Sequence, residues 1–275
     1  MIQALYLCSA AQLRRGWTRR IGQAGGAALL AAATMSAAHA DATTIDFEHV
    51  SNVVTPALAA GDSIYAGRDQ FSSQGYLATV ADSTFAQSQD GYTPGLAGAI
   101  VDGGNAYNCD IIACPAGNAS KYYSGLNDGS ISFSRSDSHG FHLNSLDFAF
   151  VSPVYGVPDG VYGRLVISGS KVGGGTISTE VDFGGQNADG LYTFASWNAG
   201  AFGKADLSSV TISACLFDGA GGCVNSDVSA NQAQFALDNV HLTSAVPEPA
   251  AWMMFGLGLA LAAVARRRGA FLPNA

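Results

Sequence analysis

The sequence predicts an all-β domain, a jelly-roll-like β-sandwich, flanked by an N-terminal signal peptide and a C-terminal single apolar helix. Three observations predict it. Short runs that alternate apolar with polar residues recur between clusters of Gly, Asn, Asp and Ser. Almost no stretch between the ends shows helical periodicity, and two apolar blocks lie near the ends of the 275-residue chain.

The first block is not part of the fold. Arg14, Arg15, Arg19 and Arg20 precede the run AGGAALLAAATMSAAHA, which ends in Ala38-His39-Ala40 before Asp41. A charged region, an apolar region and a small-residue site in that order predict a secretory signal over residues 1–40 with cleavage after Ala40. Residues 41–245 are then the folded ectodomain, long enough for one domain with its own core.

Charge and cysteine bound what this domain does. Between Asp41 and Ala245 there are 20 acidic and 6 basic side chains, a net charge of −14. Such a body repels nucleic acid and anionic surfaces. Cys109, Cys114, Cys215 and Cys223 form two close pairs in a chain expected to be exported, so disulfides are predicted, with local pairing chosen from the three possible connectivities.

The expected strands follow from alternation. In SSVTISACLF, Val210, Ile212, Ala214 and Leu216 share one phase, and Thr211, Ser213 and Cys215 the other, so the valine side faces the core. In STEVDF, Glu180 and Asp182 fall on the water side. TTIDFE, GYLATVA, GSISFSR, FHLNSLDFAF, GRLVISGS and QFALDNVHLT read the same way. In FHLNSLDFAF the apolar phase slips at Asn144-Ser145, which predicts a bulge or bend. The segments around Cys109–Cys114 and Cys223 read as long loops.

The second apolar block carries the sharpest motif. Pro247, Glu248 and Pro249 precede an apolar run from Ala250 to Ala265, about 24 Å as a helix, which Arg266, Arg267 and Arg268 close. An apolar helix with a triple-arginine stop fits a membrane anchor better than a core helix. This three-part pattern over residues 246–270 resembles the PEP-CTERM sorting signal of Gram-negative bacteria. The resemblance implies an exosortase as processing partner, transient inner-membrane insertion, and delivery to the cell surface or extracellular matrix. The upstream QFALDNV, Gln234 to Val240, is similar to the Gln-Phe-x-x-Asp signature of a PEP-CTERM subgroup.

Candidate sites are fewer. Asp238 shares a strand phase with Ala236, Val240 and Leu242, which puts a carboxylate at a packed surface, where it needs a partner or a cation. The DFE opening and terminal LDNV strand are similar to carbohydrate-binding jelly-roll modules, which implies a structural calcium held by Glu48 and Asp238. The alternative is that Asp238 accepts backbone N–H bonds from a loop and Glu48 is solvated. Tyr122, Tyr123, Asn127 and Asp128 in YYSGLNDGS, with Trp197, are candidates for stacking on and hydrogen-bonding a sugar, against an alternative in which they serve the core and its rim. No G-x-S-x-G, H-E-x-x-H or P-loop signature occurs, so no catalytic residue is assigned. The expected role is a non-enzymatic structural, adhesion or glycan-binding one, with exopolysaccharide or matrix components as partners. The competing class is a carbohydrate-active hydrolase or lyase on the same fold.

Overall fold

In the computed structural model, residues 40–105, 109, 113–225, 232–245 and 258 are described, and those of the unit Ala40–Ala245 form a β domain. Its first half contains β1 (Ala42–Ile45), β2 (Ser51–Asn52), β3 (Ile64–Ala66), β4 (Gln70–Ser73), β5 (Tyr76–Ala81), the one-turn helix α1 (Thr84–Gln87), β6 (Leu96–Asp102), β7 (Lys121–Gly125) and β8 (Ser130–Arg135). Its second half contains β9 (Phe141–Phe150), β10 (Gly163–Lys171), β11 (Thr176–Asp182), β12 (Ala195–Asn198), a 3-10 turn at Phe202–Lys204, β13 (Leu207–Phe217), β14 (Cys223–Val224) and β15 (Phe235–Ser244). Every strand anticipated from alternation is present; the brief β2, β3, β4, β12 and β14, the Ala- and Gly-rich β6 and the Tyr-bearing β7 are additions.

The strands pair antiparallel in one curled sheet with two arms. One arm carries β4, β5, β8, β13, β10 and β11; the other carries β12, β9, β15, β7, β6 and β3, with β1 beside β15. The arms join where Leu207 opens β13 opposite Phe141 of β9. They face one another across a shared core to which β8 and β13 contribute Ile131, Phe133, Val210 and Ile212, and β9 and β15 contribute Leu143, Phe148 and Leu237. Ring contacts bridge the arms, Phe47 to Phe133 at 6.5 Å and Tyr76 edge-on to Phe141 at 5.4 Å. Alternation places Glu180 and Asp182 in water, as expected, where both pair with Arg164.

The phase slip at Asn144-Ser145 is real and has a counterpart. Asp238 lies opposite Asp147, His241 opposite Ser145 and Leu242 opposite Leu143. β15 therefore carries one extra residue and β9 regains it at Asn144, so two bulges compensate and both strands keep their apolar side inward. Asn239 takes the left-handed conformation, φ 48°, that such a bulge requires.

A second, smaller cluster lies on the outer face of the β9–β15–β7 arm, where Tyr122, Ala149, Val151 and Ala236 pack under a cover that includes Cys114 and Phe194. That cover is the loop braced by the Cys109–Cys114 disulfide, bridged to Ser152 and Thr193 through Ala113 and Ala116. The Cys215–Cys223 disulfide ties β13 to β14. Both bridges follow the local pairing, and Cys215, on the outward phase, is nonetheless buried. The apolar block Ala250–Ala265 and residues 1–39 lie outside the described residues, apart from Gly258. Among the described residues no helix is long and apolar enough to cross a membrane.

Candidate functional site

The last strand and the loop above it build a carboxylate network. The register sets Asp238 of β15 opposite Asp147 of β9. Asp238 is 1% exposed, and both of its oxygens are occupied. Oδ2 accepts from Asn118 Nδ2 at 2.6 Å and Ser120 Oγ at 3.0 Å, and Oδ1 accepts from the Asn239 N–H at 2.7 Å. Asp147 accepts from Asn239 Nδ2 at 2.9 Å and from Ser196 Oγ. Burial raises the Asp238 carboxyl above its ordinary range and the Asp147 charge adds to this, while the donated hydrogen bonds oppose it. The network fastens Asn118 and Ser120, just before β7, to β15, and through Ser196 it fastens β12 to β9.

Glu48 stands beside this network without joining it. The chain turns at Phe47, whose φ of 56° is left-handed, so β1 stops at Ile45, before Asp46 and Glu48. Glu48 is exposed, and its Oε1 accepts the Lys121 N–H at 2.8 Å, one residue from the Ser120 that serves Asp238. Calcium at Glu48 and Asp238 was expected to draw on both carboxylates. Among the described residues no group of three or more His, Cys, Asp or Glu side chains converges as a metal site, and the Asp238 oxygens already have protein donors.

A cleft of about 320 Å³ opens next to Glu48, lined also by Phe47, Asp62, Tyr65, Asp102 and Lys121. Its far wall is the loop before β3, tied back by hydrogen bonds. Asn52 Nδ2 donates to the carbonyls of Ala59 and Asp62, each at 2.8 Å, and Tyr65 donates its hydroxyl to Asn52 Oδ1 at 2.9 Å. Burial pushes the Tyr65 hydroxyl up to about 12, so it remains a donor at neutral pH. Carboxylates flanking one ammonium suit a neutral or cationic polar solute with hydroxyl or amine donors.

The predicted sugar site is not a surface. Tyr122 and Tyr123 are fully buried, on the outer cluster and the main core respectively, so neither offers an open ring face. Asp128 is buried and accepts the Ala233 N–H at 2.8 Å, and Asn127 donates to the Leu96 carbonyl at 2.9 Å. Trp197 is half-buried on β12 and meets Phe202 edge-on at 6.0 Å, far along the sequence from the tyrosines. Tyr122 packs where the loop covers the outer face of the sheet, and Tyr123 packs in the main core. Asn118, Ser120, Asp147 and Asn239 were not anticipated; the one signal for them was the Asn144-Ser145 slip, which required something irregular opposite it.

The C-terminal motif lies outside the described residues, but its identity is independent of geometry. Residues 245–268 match the family model of the PEP-CTERM protein-sorting motif. The chain carries a PEP-CTERM sorting motif. PEP-CTERM proteins are exported and sorted by an exosortase, with the C-terminal segment as membrane-anchor sorting signal. The match begins after the Gln234–Asp238 signature and so does not bear on the subgroup. A search of curated proteins finds no match. Among solved structures, the domain is similar to a carbohydrate-binding module in complex with beta-1,4-galactotriose (10% identity, 61% of this chain and 88% of that one, TM-score 0.29). It is also similar to an apo-form cyclase from Fischerella sp. (10%, 75% and 98%, 0.33) and to an arabinose-bound α-L-arabinofuranosidase (12%, 58% and 28%, 0.25). At these TM-scores the likeness assigns no activity to this chain.

Proposed function

We propose that this PEP-CTERM protein is a non-enzymatic component of the cell surface or extracellular matrix, with a structural, adhesion or glycan-binding role. The observation that carries the reading is the sorting motif, which begins one residue after the last strand of a disulfide-braced β domain. An excess of 14 negative charges supports a soluble exterior suited to a hydrated polymer matrix. The acidic cleft beside Glu48 is the place where a hydroxyl-rich or cationic matrix component would be held.

The test is the intact mass of the protein recovered from the extracellular fraction of its host, compared with a strain lacking the exosortase. The expected product starts at Asp41, lacks the segment beyond the Pro247-Glu248-Pro249 motif, and is four hydrogens short, two for each disulfide. Retention of Arg266 to Arg268 in both strains would make the C-terminal segment a plain anchor and remove the basis of the matrix role.

A further inference from the structure

Both ends of the described domain leave it at one place. The Asp41 N–H donates to Ser244 Oγ at 2.8 Å, and the Ser244 N–H donates to the Asp41 carbonyl at 3.0 Å. The Ala245 N–H donates to the Gly140 carbonyl at 3.0 Å, and the Val172 N–H to the Asp206 carbonyl at 2.9 Å. The Asp206 carboxylate lies over Gly140 and leaves no room there for a side chain. Asp41, Ala245, Gly140, Asp206 and the β10–β11 hairpin tip at Val172 therefore form one continuous rim.

Strand register places this rim opposite the disulfides. Phe141, Leu207 and Lys171 align at the rim, whereas Phe150, Gly163, Leu216 and Phe235 align at the other end, where Cys215–Cys223 lies and where the Tyr155 hydroxyl reaches the Cys109 carbonyl. The ten-residue β9 and β15 separate the two ends by about 30 Å.

Tether length and charge say what the rim faces. Only Val246 separates Ala245 from Pro247, and the apolar block begins at Ala250, so the chain between the exit at Ala245 and an inserted segment reaches at most roughly 17 Å. The rim has three acids, Asp41, Asp137 and Asp206, and three bases, Arg135, Lys171 and Lys204, whereas the rest of residues 41–245 has 17 acids and 3 bases. Asp137 is neutralised by Arg135, while Lys171 and Lys204 are exposed and in no ion pair among the described residues. Val172, 51% exposed, stands next to Lys171. An anionic leaflet repels the net acidic remainder of this domain and attracts the two lysines.

We propose that this rim is the membrane-apposed surface of the tethered precursor, with Lys171 and Lys204 against anionic lipid headgroups and the disulfide-braced end directed outward. The proposal rests on the sorting reading of the C-terminal segment. It is tested on the full chain in a strain lacking the exosortase, with one added cysteine, Val172→Cys at the rim or Val154→Cys at the far end, and a membrane-impermeant maleimide. On intact spheroplasts Val172→Cys is expected to react about tenfold more slowly than Val154→Cys, the order set by two lysines at an anionic surface. Detergent should equalise the rates, and Lys171→Gln combined with Lys204→Gln should restore labelling at position 172. Equal rates on intact membranes, protection that survives detergent, or protection indifferent to the lysines would each overturn the rim assignment. Full-length chain in the soluble fraction would overturn the sorting reading as well.

Discussion

The two ends of the β domain are held by different means. At the end with the chain exits, turns are short and the cohesion is backbone hydrogen bonding, between Asp41 and Ser244 and between Ala245 and Gly140. At the opposite end lie both disulfides, and the long β9–β10 connection, residues 151–162, reaches one of them through the Tyr155 hydroxyl and the Cys109 carbonyl. Long loops lose more conformational entropy on ordering than short turns, so they need anchors that strand register does not supply. The end that has to deliver its chain to a processing enzyme has no covalent lock among the described residues.

The largest effect expected from breaking this contrast is at the far end. Replacing Cys215 and Cys223 together by Ser opens an 8-residue separation and should cost about 2–3 kcal/mol by the chain-entropy argument, read as a lower denaturant midpoint at unchanged slope. A loss below half a kcal/mol would mean that the β13–β14 pairing holds the loop without its bridge.

The carboxylate anchor comes next. Asp238→Asn keeps the shape but removes one of the two acceptor oxygens that serve Asn118, Ser120 and Asn239, at an expected cost of about 1–3 kcal/mol. Its pH dependence has a definite sign. Because burial raises the Asp238 carboxyl, the folded state holds that proton more tightly than the unfolded state, and the group favours the fold increasingly as pH falls through its folded value. Asn does not titrate, so the cost of Asp238→Asn should be larger near about pH 4 than at about pH 7. Asp137 acts in the opposite sense. Arg135 and the His139 N–H hold its carboxyl well below the usual range, so its contribution is present above that range and fades in strong acid. A pH-independent cost for Asp238→Asn would show that Asp238 titrates as an ordinary carboxyl.

The strand framework was legible because alternation is a local signal. Val210, Ile212 and Ala214 face the core and Glu180 and Asp182 face water for reasons contained within a few residues. The slip at Asn144-Ser145 was equally local. The buried tyrosines were not legible, since Tyr122 is covered by a loop whose docking depends on Ala113, Ala116 and Phe194, remote in sequence. The carboxylate network escaped for the same reason: Asn118 and Asp238 are 120 residues apart, and only strand register brings them together. The sorting motif needed no tertiary information, being read by a protein that meets it as a linear segment.

At the rim, Ser244→Ala removes one partly exposed hydrogen bond to Asp41 and should cost no more than about 1 kcal/mol, checked by the same denaturant midpoint. The smallest effect expected is none. A carboxylate that requires calcium leaves oxygens for the ion, whereas both Asp238 oxygens accept protein donors and Glu48 is engaged by the Lys121 N–H in the solvent. Thermal melting in excess chelator should therefore coincide with melting in millimolar calcium, because a ligand stabilises only a state it binds. A calcium-dependent rise in the melting temperature that Asp238→Asn abolishes would mean that Asn118 and Ser120 yield to a cation, and that the chain just before β7 is fastened by metal rather than by hydrogen bonds.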